Sequence, residues 1–170
     1  MGAQNIPAWH YAKLSELSYL PPADLRVATL PPGWRYVGPR TPHGSNPHNV
    51  HVAVFANDAE RVVVGAERGT VPGQFLPDMV PNNAVIAAGG MPRGAADTGA
   101  VLRDLGKDVA YLGYDIVGAG HSEAGANSAV GVSNIVRPSD GTSPPPDANR
   151  YFAVGINTPH SPHIISHPTI

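Results

Sequence analysis

Cysteine is absent from this 170-residue sequence, which removes disulfides, thiolate metal sites and a cysteine nucleophile together and leaves the redox compartment unread. Charge is scarce as well: Asp, Glu, Lys and Arg make up 14% of the residues, and the formal net charge is -2. The basic residues are scattered, so the clustered Lys and Arg by which a protein displaces counterions from nucleic acid are missing, and no nucleic-acid partner is expected. No apolar run approaches the roughly 20 residues that cross a bilayer, so no transmembrane segment is expected. Residues 1–20 lack both the basic n-region and the continuous apolar core of a secretory leader. Ile6 stands where a myristoylation signal after Gly2 wants Ser or Thr. These absences describe a soluble chain, cytoplasmic or secreted with its leader not present.

What is abundant is Gly and Pro, 19 of each. Together they fall just short of the roughly 25–30% at which aperiodic sequences are usually disordered, which predicts an ordered chain with many loops. A chain of this size hides roughly 70% of its unfolded surface, enough for a core, and we expect a single domain over 1–170. Tyr11, Leu14 and Leu17 recur every three residues across 8–18, the pattern of a short amphipathic helix stopped by Pro21-Pro22. Residues 34–37 suit a short strand. Residues 50–56 and 61–65 read as two strands paired across the turn residues Asn57-Asp58. From Asp97 or Thr98, either able to cap, Val101, Leu102, Leu105 and Val109 mark a buried helical stripe. Residues 112–117 form a further β-like run, 123–132 a helix of small residues, and 151–156 a last strand. The remainder, 137–149 and 157–170, is loop and a His- and Pro-rich tail. This alternation predicts an α/β fold of three layers with a mostly parallel sheet, in which chemistry gathers at the C-terminal strand ends.

One turn at such an end stands out. Gly120-His121-Ser122-Glu123-Ala124-Gly125 follows a strand and opens a helix. A serine held at a sharp strand-to-helix corner needs small neighbours two positions before and after it, here Gly120 and Ala124. The helix behind it aims its N–H groups and positive dipole end at the place where an oxyanion would form, so the backbone N–H of Glu123 is the first candidate donor.

The sequence here resembles the class 3 lipases and related α/β-hydrolases, whose nucleophile motif is Gly-His-Ser-Leu-Gly-Gly. Leu17-Ser18-Tyr19 is similar to the end of that family's first helix, and 62–70 is similar to its strand followed by Arg-Gly-Thr. Residues 72–92 fall where its lid and following loop fall, and the helix at 98–109 precedes the nucleophile strand as it does there. The resemblance covers roughly 11–132. It implies a serine hydrolase with Ser122 as nucleophile and Thr70 as the second oxyanion donor through its backbone N–H. Two departures carry chemistry: Ala124 replaces a glycine, and Glu123 replaces a leucine, setting a carboxylate beside the nucleophile. The family carries its acid and base on two further strands, whereas here a single strand remains. The order Ser, Asp, His leaves Asp140 or Asp147 as the acid and His160, His163 or His167 as the base.

The apolar stretch 71–86, with Phe75 and Leu76, suits either a lid and acyl-binding wall above Ser122 or a crossover packed on the core, and Pro72, Gly73, Pro77 and Pro81 suit hinges. His121 packs beside the corner as a substrate neighbour, not as the base. Histidines cluster at His43, His48 and His51 and again at His160, His163 and His167, but no helix fixes their spacing and no carboxylate accompanies them, so no metal is expected. Ester hydrolysis of this kind needs no cofactor, and its substrate is a small-molecule or lipid ester. The alternative is a catalytically inactive hydrolase scaffold, a binding domain whose exposed sheet edge would recruit a partner chain or a second copy as a homo-oligomer.

Overall fold

The computed structural model describes residues 1–44, 49–69, 94–138 and 140–156. Five strands, β1 (Arg35–Arg40), β2 (Val52–Asn57), β3 (Val62–Glu67), β4 (Asp115–His121) and β5 (Tyr151–Ile156), lie side by side in chain order. β2 and β3 are buried along their whole length and β4 everywhere but its two ends, as strands covered on both faces must be. One face carries Phe55, Val62, Val64, Val117 and Val154 against Tyr11, Leu14 and Leu17 of helix α1 (Ala8–Leu17) and Leu25 of the short α2 (Pro22–Leu25). The other carries Val54, Val63, Ile116 and Ala153 against Val101, Leu102 and Leu105 of α3 (Ala95–Lys107) and Val132 and Ile135 of α4 (Glu123–Val136). The layers are thus helix, sheet, helix, as expected of an α/β fold.

The sheet is mixed rather than mostly parallel. β1 pairs with β2 and β2 with β3 antiparallel, while β3 pairs with β4 and β4 with β5 parallel. Among the described residues no helix lies between the first three strands, and strands joined without a crossover pair antiparallel. Where α3 and then α4 intervene, the chain is carried back to its starting end and the strands run in the same direction.

Two local expectations also change. Helix α3 begins at Ala95 behind Gly94, whose left-handed φ of 79° makes the corner, so neither Asp97 nor Thr98 is its cap. β4 begins three residues later than 112. Val109–Tyr111 forms a 3-10 turn, Gly113 takes a φ of 73°, and Leu112 stays 59% exposed, so the apolar look of that segment does not come from a strand. No described helix is long and apolar enough to cross a membrane.

Candidate functional site at the strand-to-helix corner

β4 is flanked by β3 and β5, both parallel to it, and it ends at His121. Ser122 is the next residue and Glu123 the first of α4. The turn is tight enough to dictate its sequence. A Cβ on Gly120 would lie 2.4 Å from the carbonyl carbon of Ala124 and 2.6 Å from the nitrogen of Gly125, backbone atoms that cannot step aside. Ala124 is wholly buried. The small residues at these two places are therefore a packing requirement, as the corner motif predicts.

Ser122 itself has φ 57° and ψ -124°, outside the ordinary left-handed basin. Such a conformation costs an L-residue on the order of 1–3 kcal/mol and persists only where its surroundings impose it. The surroundings here are visible. The N–H of Ser122 donates to the carbonyl of Ile156 at 3.0 Å, and its own carbonyl accepts from the N–H groups of Gly125 and Ala126 at 3.1 and 3.4 Å. Serine at a helix N-cap ordinarily uses its hydroxyl to satisfy the first turn; Ser122 makes no such bond. The residue is half-buried and follows the last residue of β4.

The segment leading to Thr70 lies against this corner. Glu67 at the end of β3 pairs with Gly120, and a Cβ on the next glycine, Gly69, would lie 2.9 Å from the carbonyl oxygen of His121 and 2.5 Å from the hydroxyl of Tyr19. Gly69 is the residue that permits Arg68-Gly69 to pass so close. The phenol of Tyr19 is held above its ordinary range by burial, opposed by a backbone hydrogen bond with Gly69 and reinforced by the charges of Glu67 and Glu123. The N–H of Arg68 donates to the carbonyl of His51.

Beneath the corner is a polar cluster that pattern reading missed. Both carboxyl oxygens of Glu67 accept hydrogen bonds at 2.8 Å, one from the Thr98 hydroxyl on α3 and one from the Asn127 amide on α4. All three residues are buried. Burial pushes the Glu67 carboxyl up to about 8, Glu123 and Asp97 add to the rise, and the two hydrogen bonds oppose it. The signal available in the sequence was a lone carboxylate closing the run Val-Val-Val-Gly-Ala.

The candidate acids are placed elsewhere. Asp147 pairs with Arg150, whose guanidinium also donates to the carbonyls of Tyr111 and Tyr114 just before β4 begins, so it lies at the opposite end of that strand, about 20 Å from Ser122 at the usual strand rise. Asp140 accepts from the N–H and hydroxyl of Thr142 and lines a cavity of about 370 Å³ with Ala95, Arg103 and Asn134. Asp147 is therefore not brought to the corner: it sits where β5 starts, and Ser122 sits where strands end. Asp140 is engaged by Thr142 beside α3 and α4. Thr70, Phe75, Leu76, His160, His163, His167 and the whole stretch 71–86 lie outside the described residues. His121 is half-buried, next to Ser122. Among the remaining histidines, His43 faces Asp104 and His51 contacts Asn49. Among the described residues, no three His, Asp or Glu side chains are arranged to hold a metal.

Comparison with solved structures bears on the fold. The Lip2 lipase of Yarrowia lipolytica superposes with a TM-score of 0.54 at 16% identity, over 89% of this chain and 57% of that one. The fold is lipase-like. At this identity the likeness speaks for the scaffold alone, and the chain spans little more than half the length of that enzyme. No protein-family model and no curated protein matches the sequence.

Proposed function

We propose that the chain is a serine hydrolase acting on carboxylic esters, of small acyl or lipid-like type. The observation that carries this reading is Ser122: a serine in a conformation costly to an L-residue, whose hydroxyl makes no cap bond to the helix behind it. In the proposed reaction the Ser122 Oγ attacks the acyl carbon while a histidine takes its proton. The tetrahedral oxyanion is held by the backbone N–H of Glu123 and that of Thr70, each donor worth on the order of 10²–10³ in rate. The alcohol leaves with the proton returned by the histidine, and water releases the acid. The base is drawn from His160, His163 or His167, which follow in sequence the Ile156 whose carbonyl accepts from the N–H of Ser122. That the scaffold resembles a lipase supports the same reading.

A second reading, a scaffold that binds without catalysing, is favoured by one observation: Asp147 is engaged by Arg150 at the opposite end of β4, and the contacts of Asp140 are with Thr142. A fluorophosphonate probe separates the two. Labelling of the folded full chain that disappears in Ser122→Ala is the expected result. Folded protein that takes no label, or a Ser122→Ala variant that still does, overturns the hydrolase.

A further inference from the structure

The chemistry above leaves the Glu67 carboxyl unused, although it is buried at the one place where the strand toward Thr70 and the helix behind Ser122 meet. Resting on the hydrolase reading, we infer that Glu67 is a positioning residue: its buried carboxyl pins the end of β3, and with it the Arg68-Gly69 backbone, onto α4, so that oxyanion loop and nucleophile keep one relative placement. The geometry is that of a hub. One oxygen accepts from Thr98 and the other from Asn127, so three elements converge on a single side chain that is 3% exposed. Asn127 is five positions beyond Ser122 on α4. Its amide oxygen is buried with no hydrogen-bond partner among the described residues, and of the two forms of the carboxyl beside it only the protonated one carries a hydrogen to donate.

The surroundings favour that neutral form. Asp97 on α3 and Glu123 on α4 face the carboxyl with negative charge, and Tyr19 beyond α1 also feels it. In the sheet its partners are the apolar Val52 of β2 and Gly120 of β4. With the carboxyl raised to about 8, the hub is intact at neutral pH. As pH rises through about 8, a charge appears with no room to be solvated, and the hub loosens.

The test measures the fluorophosphonate labelling rate of the full chain between about pH 6 and 10, for wild type, Glu67→Gln and Glu67→Met, alongside amide exchange of the segments 67–69 and 122–127. Wild type should lose about tenfold of its peak rate above about pH 8. Glu67→Gln, which keeps an uncharged acceptor and donor, should label at neutral pH within about threefold of wild type and lack the alkaline loss. Glu67→Met, which fills the space without polar atoms, should label at least about tenfold more slowly and exchange faster in both segments, with β2 unchanged. The inference is overturned if Glu67→Met matches wild type in labelling and exchange, or if Glu67→Gln keeps the alkaline loss. Should wild type take no label at any pH, the hydrolase reading fails by itself, and the exchange comparison still decides the hub. A Glu67→Met chain that does not fold leaves the decision to the pH profile of Glu67→Gln.

Discussion

The two halves of the sheet solve the same burial problem by different routes. In β1, β2 and β3 each pairing is antiparallel, and the connection from β2 to β3 is a tight turn at Asp58 to Arg61. In β3, β4 and β5 helices intervene, the pairings are parallel, and the strands all finish at the same end. Antiparallel strands divide their ends between both edges, so no set of strand termini converges. Parallel strands deliver Glu67, His121 and Ile156 to one rim, and there the strained serine, the close-packed glycines and the buried carboxyl are found. One half is built for cohesion, while the other concentrates strain and polarity where chemistry is proposed.

The sharpest way to break that comparison is to make one substitution in both halves. Gly120→Ala sets a methyl within 2.4–2.6 Å of backbone atoms of α4, and because neither strand nor helix can retreat, it should cost about 3 kcal/mol, at the top of the usual overpacking range. Gly38→Ala in β1 meets nothing within 4 Å, and its only burden is a φ of 145°, so its expected cost is about 1 kcal/mol. Chemical denaturation of both variants checks this. Equal losses would mean that the corner is no tighter than an edge strand.

A smaller effect separates strain that serves structure from strain that does not. Arg61, in the β2–β3 turn, has φ 56°, but its guanidinium donates to the Leu112 carbonyl at 3.1 Å and lies over the Tyr114 ring. Ser122 has the same sign of φ and no cap bond in return. Ser122→Gly should therefore raise stability by about 1 kcal/mol, strain relief outweighing the added freedom of the unfolded chain, while abolishing probe labelling. Arg61→Gly should bring no gain, since relief there is cancelled by lost contacts. A Ser122→Gly chain less stable than wild type would remove the main support for a functional corner.

Much of this architecture was legible in the residues. The three-residue spacing of Tyr11, Leu14 and Leu17 marked α1, the turn at Asn57-Asp58 marked the hairpin, and β5 fell where its apolar run placed it. What escaped has physical reasons. Strand direction depends on what lies between strands, and reading one αβ rhythm over the whole chain obscured that β1, β2 and β3 have no helix between them among the described residues. Thr98 has the chemistry of a cap, but it lies inside α3, and its hydroxyl donates to the buried carboxyl of Glu67 instead of accepting from a first-turn N–H. Periodicity counts apolar positions and has no means of foretelling that the charge closing β3 would be drawn inside. Asp147 shows the remaining gap: order along the chain told that an acid follows Ser122, not at which end of the strand it would come to rest.

The smallest predicted effect contrasts two carboxyls, one in each half. Asp58, at the hairpin, accepts from Arg35 Nε and a terminal guanidinium nitrogen at 2.8 and 3.0 Å and from the Tyr114 hydroxyl at 3.2 Å. The Arg35 hydrogen bonds hold its carboxyl below the ordinary range. Because the folded value is depressed, its contribution is present above the unfolded value near 4 and is lost as pH falls through the folded one. Both side chains are about half exposed, 51% and 53%, so solvent and salt screen the pair and Asp58→Asn should cost only about 0.2–1 kcal/mol at neutral pH, less in high salt. Glu67 runs the opposite way. Its folded value is raised, so its favourable contribution is complete below the unfolded value near 4.5 and declines as pH climbs toward about 8. Melting temperatures of wild type, Asp58→Asn and Glu67→Gln across pH 3–9 should then separate at opposite ends: Asp58→Asn converges with wild type in acid, while Glu67→Gln gains on wild type in base. If the Asp58→Asn deficit persists unchanged at pH 3, the ion pair is not its origin, and the antiparallel half owes nothing measurable to this surface charge.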